Sequence, residues 1–185
     1  MKFDDVIQVR KSVRRYADKP VEQEKIAKCL EAARLAPSWE NKQCWHFIVV
    51  RDKEVIAKLA KAFNFWVKSA PVVIVACGDP RRSGTRHGQD YYLVDVAIAM
   101  EHLVLEAANL GLGTCWLGFF DEKETKELLG IPKEIRVVAL APLGYQHPSE
   151  GVWGKVIKTA VGSKKRKNLG EIAYDGKWGN PFEKP

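Results

Sequence analysis

The chain has 185 residues, of which 46% are hydrophobic and 29% charged, a composition that suits one packed globular domain and excludes disordered and fibrous classes. Thirty lysines and arginines oppose 23 acidic residues, and the formal charge of +7 favours an anionic partner such as a nucleotide, a phosphate or a nucleic acid. The longest apolar run, Ala70 to Cys77, falls far short of the roughly 20 residues of a membrane helix, and the start Met1-Lys2-Phe3-Asp4-Asp5 has no apolar signal core, so a cytoplasmic protein without a membrane partner is expected.

In chain order, Phe3, Val6 and Ile7 predict a short helix over residues 3–10, with Arg10-Lys11 at the end that favours cations. A second helix follows Pro20 and runs to about Leu35, with Ile26, Cys29, Leu30 and Ala33 as its inward stripe; Pro37 stops it. The loop from Ala36 to Cys44 is crowded with amides and hydroxyls. Ser38, Asn41 and Gln43 offer neutral donors and acceptors that suit the polar edge of a heterocycle, or that satisfy their own turn.

Trp45 to Val50 reads as a strand, and a third helix then carries Val55, Ile56, Leu59 and Phe63. Pro71 to Cys77 is a wholly buried strand, and residues 78–90, with Gly78, Gly84 and Gly88, read as a mobile loop. From Asp90 to about Leu110 runs the longest helix, with Val94, Ile98, Leu103 and Leu105, capped by Gly111. Thr114 to Leu117 is a further strand. Asp121 and Glu124 cap a helix ending near Leu129, and Arg136 to Leu143 is the last strand before Gly144-Tyr145. The tail from His147 has no amphipathic period, yet Trp153, Tyr174, Trp178 and Phe182 need a place to be buried.

No self-sufficient catalytic constellation is visible. G-x-S-x-G, H-E-x-x-H and the P-loop are absent, and Gly111 to Gly118 lacks the G-x-G-x-x-G spacing and follows a helix, which rejects a dinucleotide fingerprint. Cys29, Cys44, Cys77 and Cys115 are widely spaced and form no C-x-x-C pair, so neither a disulfide framework nor a metal site is expected and the thiols read as buried. His46, His87, His102 and His147 are equally scattered. Such a chain fits chemistry carried by a cofactor.

Two stretches carry a resemblance. Arg10-Lys11-Ser12-Val13-Arg14-Arg15-Tyr16 is similar to R-R-S-x-R-x-[FY], and Ala36 to Phe47 is similar to A-P-S-x-x-N-x-Q-P-W-x-F, both patterns of the FMN-dependent nitroreductase family and in its order. Gly111 to Gly118 resembles the family's G-L-G-T-C-W-x-G. The resemblance implies an α+β fold: a three-layer sandwich with a mostly antiparallel central sheet flanked by helices. It also implies a homodimer whose C-terminal tail, about residues 147–185 of the single domain 1–185, is exchanged between subunits.

For function, the resemblance implies FMN, NADH or NADPH as electron donor, and a small-molecule acceptor such as a nitroaromatic or quinone. Cofactor contacts would fall to Arg10, Lys11, Ser12, Arg14, Pro37, Ser38, Asn41, Gln43, Leu117 and Gly118, and to the C-terminal basic clamp Lys165, Arg166 and Lys167. The backbone N–H of Gly118 matches the donor to flavin N5. His87, Tyr91, Tyr92 and Phe119 are the candidates for the substrate side. Lys11, Cys44, Phe119 and Asn168 depart from the family pattern, which has arginine, proline, glycine and proline there.

Other reactions within the family (dehydrogenation, dehalogenation and flavin processing) stay open, as does a flavin carrier without turnover. A nucleic-acid partner is disfavoured because the aromatics form no stacking platform and 23 acidic residues dilute the field.

Overall fold

The computed structural model describes residues 1–61, 63–149 and 166–183. The chain divides into two units, Met1–Gly151 and Val152–Pro185. Among the described residues no helix is long and apolar enough to cross a membrane.

The first unit is built on a four-stranded antiparallel sheet of order β1-β2-β6-β5. Its strands are β1 (Trp45–Val50), β2 (Val72–Gly78), β5 (Gly113–Thr114) and β6 (Arg136–Gly144). All seven residues of β2 are buried, because this β-branched run lies between β1 and β6 and is covered on both faces. Alternate residues Val72, Ile74 and Ala76 enter the main core with Ala141 and Leu143 of β6.

That core is closed by helices α2 (Gln23–Arg34) and α4 (Tyr91–Asn109), which pack against each other. Ile26, Cys29 and Ala33 form the inward stripe of α2, as the helical spacing predicts, and Leu30 is only partly buried. Helix α4 buries Tyr92, Asp95, Val96, Ala99, Met100, Leu103, Val104 and Ala107. The expected stripe is therefore rotated: Leu103 is inside, but Val94 is exposed and Ile98 and Leu105 are partly buried. Helix α1 (Phe3–Val9) buries Val6 and leaves Phe3, Ile7 and Val9 exposed.

On the other face, α5 (Glu122–Leu129) packs on β6, and the buried Cys77 of β2 lies within electrostatic reach of Lys126 and Glu122. The result is an α+β sandwich with helices on both sides of the sheet. Asp121 caps α5 by accepting the N–H of Glu124 at 2.8 Å, and Gly130, with φ 65°, ends it before Pro132 is reached.

Three expectations change. Helix α3 (Lys53–Leu59) stops at Ala60, whose backbone is extended, so Phe63 lies outside it and is 77% exposed. The third strand covers only Gly113–Thr114; Leu117 reaches β6 separately, through paired backbone bonds with Leu140 at 2.9 and 3.0 Å. Residues 78–90 are not a featureless loop. After a short turn at Pro80–Arg82 they form a hairpin of β3 (Thr85–Arg86) and β4 (Gln89–Asp90). His87 and Gly88, both at positive φ, supply its two-residue turn.

In the second unit, Leu169–Glu171 form a single turn, with the Glu171 carboxylate accepting the Asn168 N–H at 2.8 Å. Asn168 thus opens a turn where the family pattern has proline. The chain doubles back so that Tyr174 bridges Pro181, and the Tyr174 and Trp178 rings lie 4.8 Å apart. Trp178 is 90% exposed. Trp153 lies outside the described residues.

Candidate functional site

The basic segment after α1 is laid along the β5 edge of the sheet. Val13 donates its N–H to Thr114 O at 2.8 Å, and Ser12 bridges Thr114 in parallel. The approach requires glycine at 113, since a Cβ there would stand 2.5 Å from a Val13 methyl. Tyr16 pins the other end of the segment: its buried hydroxyl sits 2.9 Å from Val13 O and 3.1 Å from Pro142 O, and burial raises its pKa.

This placement gathers Arg10, Ser12 and Arg14 around Cys115. Burial pushes the Cys115 thiol up, against the opposite pull of Arg14, a hydrogen bond with Ser12, and Arg10. The thiol is therefore a packed, protonated group rather than a primed nucleophile. Arg10 and Lys11 also line a cavity of about 320 Å³ with Gly111, Gly113, Thr114 and Gln146. Arg10 and Lys11 at the cavity, with Ser12 and Arg14 beside Cys115 on the same segment, make a donor set suited to a phosphate.

The amide-rich loop lies elsewhere. Ser38 accepts the Gln43 N–H on its hydroxyl at 2.9 Å, and the Gln43 amide donates to Asn41 Oδ1 at 3.1 Å. The side chains proposed to read a heterocycle thus also brace their own turn. That turn is strained: Glu40, Asn41 and Gln43 all have positive φ, at 44°, 57° and 48°. Asparagine tolerates this region, whereas Glu40 and Gln43 each cost roughly 1 kcal/mol or more. Pro37, Asn41 and Gln43 are exposed and Ser38 is partly buried.

Helix α4 measures the separation of the two sets. The loop is tied to its first turns at Asp95, and the basic rim meets its far end at Ala108 and Gly111. Thirteen residues of helix between Asp95 and Ala108 span about 20 Å. The sheet agrees, because the loop enters β1 on one edge and Ser12 sits beside β5 on the other. A single copy therefore does not bring Arg10, Ser12 and Arg14 to Ser38, Asn41 and Gln43.

Gly118 follows the Leu117–Leu140 bridge and is exposed, and among the described residues its N–H has no hydrogen-bond partner. Beside it stand three exposed aromatic side chains. Phe119 meets Phe63 edge-on at 5.5 Å, and Trp116 lies 3.8 Å from where a Gly118 Cβ would be. Buried Asn64, which belongs to no sequence motif, holds the lip by donating to Phe119 O at 3.0 Å and accepting the Lys61 N–H.

Of the other substrate-side candidates, His87 is exposed at the hairpin tip and Tyr91 is partly buried against the Trp39 ring at 4.2 Å. Tyr92 does not face a mouth. It is 5% exposed and packs under Gly78, where a Cβ would come within 2.9 Å of its ring. Arg166 and Lys167 are exposed in the second unit, and Lys165 lies outside the described residues. Among the described residues no cluster of metal-ligating side chains is present, and all four cysteines are free and buried.

The nitroreductase family model matches residues 7–64 and 60–145, which takes in both donor sets and Gly118. The chain belongs to the nitroreductase family. It is 42% identical over 146 residues to a provisionally named NADH dehydrogenase/NAD(P)H nitroreductase of Archaeoglobus fulgidus, covering 76% of this chain and 83% of that one. Among solved structures, a nitroreductase family protein from Clostridium novyi NT is 37% identical with a TM-score of 0.76, over 98% of this chain and 97% of that one. An FMN-dependent nitroreductase from Clostridium difficile R20291 is 34% identical with a TM-score of 0.70, over 78% and 87%. The nitroreductase fold is thereby established for the first unit's sheet and helices.

Proposed function

We propose that this nitroreductase-family protein is an FMN-dependent oxidoreductase that uses NADH or NADPH to reduce a second acceptor, a nitroaromatic or a quinone. The observation that carries the reading is the chemistry of the donor sets. Two arginines, a lysine and a hydroxyl gathered on the segment after α1 suit a phosphate, and neutral amides and a hydroxyl on a separate loop suit a flavin edge. When bound, FMN supplies a two-electron carrier that accepts hydride from the nicotinamide and passes the electrons on.

The chain's own residues bind and orient. Arg10, Lys11, Ser12 and Arg14 hold the phosphate end, with Lys165, Arg166 and Lys167 as a second basic group. Pro37, Ser38, Asn41, Gln43 and Leu117 line the ring. The Gly118 N–H is a fixed donor that does not titrate, suited to stabilising developing negative charge as backbone amides do in oxyanion holes. Phe119 and Tyr91, with His87 at the hairpin tip, form the acceptor side.

Because the two sets stand about 20 Å apart along α4, a complete site takes one set from each of two copies. The exposed Met1, Phe3, Ile7, Val9 and Leu35 supply an apolar face for that contact, next to a cavity of about 430 Å³. In this reading the cytoplasmic homodimer is wrapped by residues 147–185 of each single-domain chain.

The test is the absorbance spectrum of purified protein before and after anaerobic NADH or NADPH. Flavin bands that bleach with either nucleotide and return on adding a nitroaromatic or quinone are the expected result. A colourless protein that FMN cannot reconstitute overturns the reading, and a yellow protein that neither nucleotide bleaches makes it a flavin carrier.

A further inference from the structure

Among the described residues two aspartates are buried, Asp79 and Asp95. Asp79 is paired with Arg81 at 2.8 Å, whereas Asp95, 1% exposed in the second turn of the apolar helix α4, has no ion-pair partner among them. A buried carboxyl group is costly unless hydrogen bonds compensate it. Asp95 is compensated by three donors: the Trp39 N–H to Oδ1 at 2.7 Å, the Ser83 hydroxyl to Oδ2 at 2.8 Å, and the Cys44 thiol to Oδ2 at 3.4 Å. Burial, with Asp95 itself adding to the effect, pushes the Cys44 thiol up to about 12, so it stays protonated and able to donate.

The three donors are not scattered. Trp39 and Cys44 are the two ends of the strained loop that holds Glu40, Asn41 and Gln43 at positive φ. Ser83 precedes the β3–β4 hairpin, and the same hairpin is clasped by Trp39, whose indole lies where a Gly84 Cβ would come within 2.4 Å and whose ring meets Tyr91 at 4.2 Å. A leucine at position 95 would fill the core without the desolvation penalty. The polar group is kept where it fixes a conformation instead.

We infer that Asp95 is a positioning residue: its carboxyl group latches both ends of the Trp39–Cys44 loop and ties that loop, through Ser83, to the hairpin. The inference rests on the FMN reading for what the loop serves, and on the geometry alone for the latch. Asp95 touches neither cofactor nor substrate in this account; it acts through the backbone of Trp39. Cys44, where the family pattern has proline, adds a third donor to the latch in this member.

Two measurements on full-length Asp95→Ala separate these parts. In flavin-stripped protein, amide exchange should quicken across residues 38–44 and 83–91 and stay as in the parent across β2. FMN fluorescence titration should show affinity weakened tenfold or more. Asp95→Asn, which keeps an oxygen to accept the Trp39 N–H, should restore loop protection and most of the affinity.

Unchanged exchange in Asp95→Ala overturns the latch, and quickened exchange with unchanged FMN affinity overturns its role in positioning the cofactor. A parent that binds no FMN overturns the functional reading, while the exchange arm still decides the latch. If Asp95→Ala does not fold, Ser83→Ala is the second variant. It should quicken exchange across 83–91 but not 38–44, and exchange unchanged in both overturns the inference.

Discussion

Strand β2 and the loop that leads into β1 are joined by one backbone hydrogen bond, from the Asp79 N–H to Cys44 O at 2.9 Å, yet they are built on opposite terms. In β2 every residue is buried and both edges are paired. In the loop, three residues sit at positive φ and the amide side chains are exposed. The strand gains from burial at every position, whereas the loop is held by a few polar bonds that offset its strain. Stability resides in the first region and the proposed flavin contacts in the second, so changes to each should move different observables.

The largest effect is expected in the strand. Ile74→Ala, at a fully buried site, should cost about 2 to 5 kcal/mol in chemical denaturation while leaving the FMN affinity of the folded fraction unchanged. Next is Gly118→Pro, which deletes the exposed N–H and should slow flavin reduction in the stopped-flow about a hundredfold or more, measured on protein shown to retain FMN. Its counterpart Cys115→Ala should retain most of the turnover, because that thiol is buried and raised in pKa.

Arg10→Ala should weaken FMN binding about tenfold or more, the worth of one charge-assisted contact, with little change in melting temperature. A melting temperature lowered in step with affinity would mean that the rim is structural.

Acid stability sharpens the contrast on the scaffold side. The Glu122 carboxyl is held down to about 2, first by the Arg136 guanidinium and then by the Val137 N–H and Lys126. A depressed carboxyl stabilises the fold above its ordinary pKa of 4.5, and that contribution is lost as pH falls from there through about 2. Glu122→Gln should therefore cost about 1 to 2 kcal/mol near neutrality, allowing for solvent screening, and flatten that limb of the pH–stability curve.

The smallest change should have the opposite sign. Glu40→Gly relieves a left-handed glutamate and should raise stability by about 0.5 to 1 kcal/mol, with FMN affinity unchanged or slightly weaker through a looser loop. A destabilised Glu40→Gly would show that the strain is not stored at that residue.

Much of the scaffold was readable because its signals are local. The aromatic and β-branched run of Trp45–Val50, the apolar run of β2 and the Asp121 cap each announce an element within a few residues. The β3–β4 hairpin leaves little signal because Thr85-Arg86 and Gln89-Asp90 are polar and too short to alternate; only Gly88 in the turn hints at it. Spacing alone puts Phe63 on a helix, but the extended backbone of Ala60 ends that helix first.

At the site, the motifs mark candidate residues without marking which of them meet. Separation of the two donor sets along α4 follows from tertiary packing, which motif order does not encode. Asp95 left one signal, an acid in the buried stripe between Tyr92, Val96 and Ala99, but its three partners lie on segments far from it in the chain or on its flank.

In the proposed site the strained loop, the basic segment and the Gly118 edge jointly hold FMN while the sheet only supports them. Amide exchange on the full-length protein with and without FMN tests it most directly. New protection should concentrate in residues 10–16, 38–44 and 113–119, with β2 and β6 unchanged. Protection confined to other segments, or none at all at saturating FMN, would contradict it.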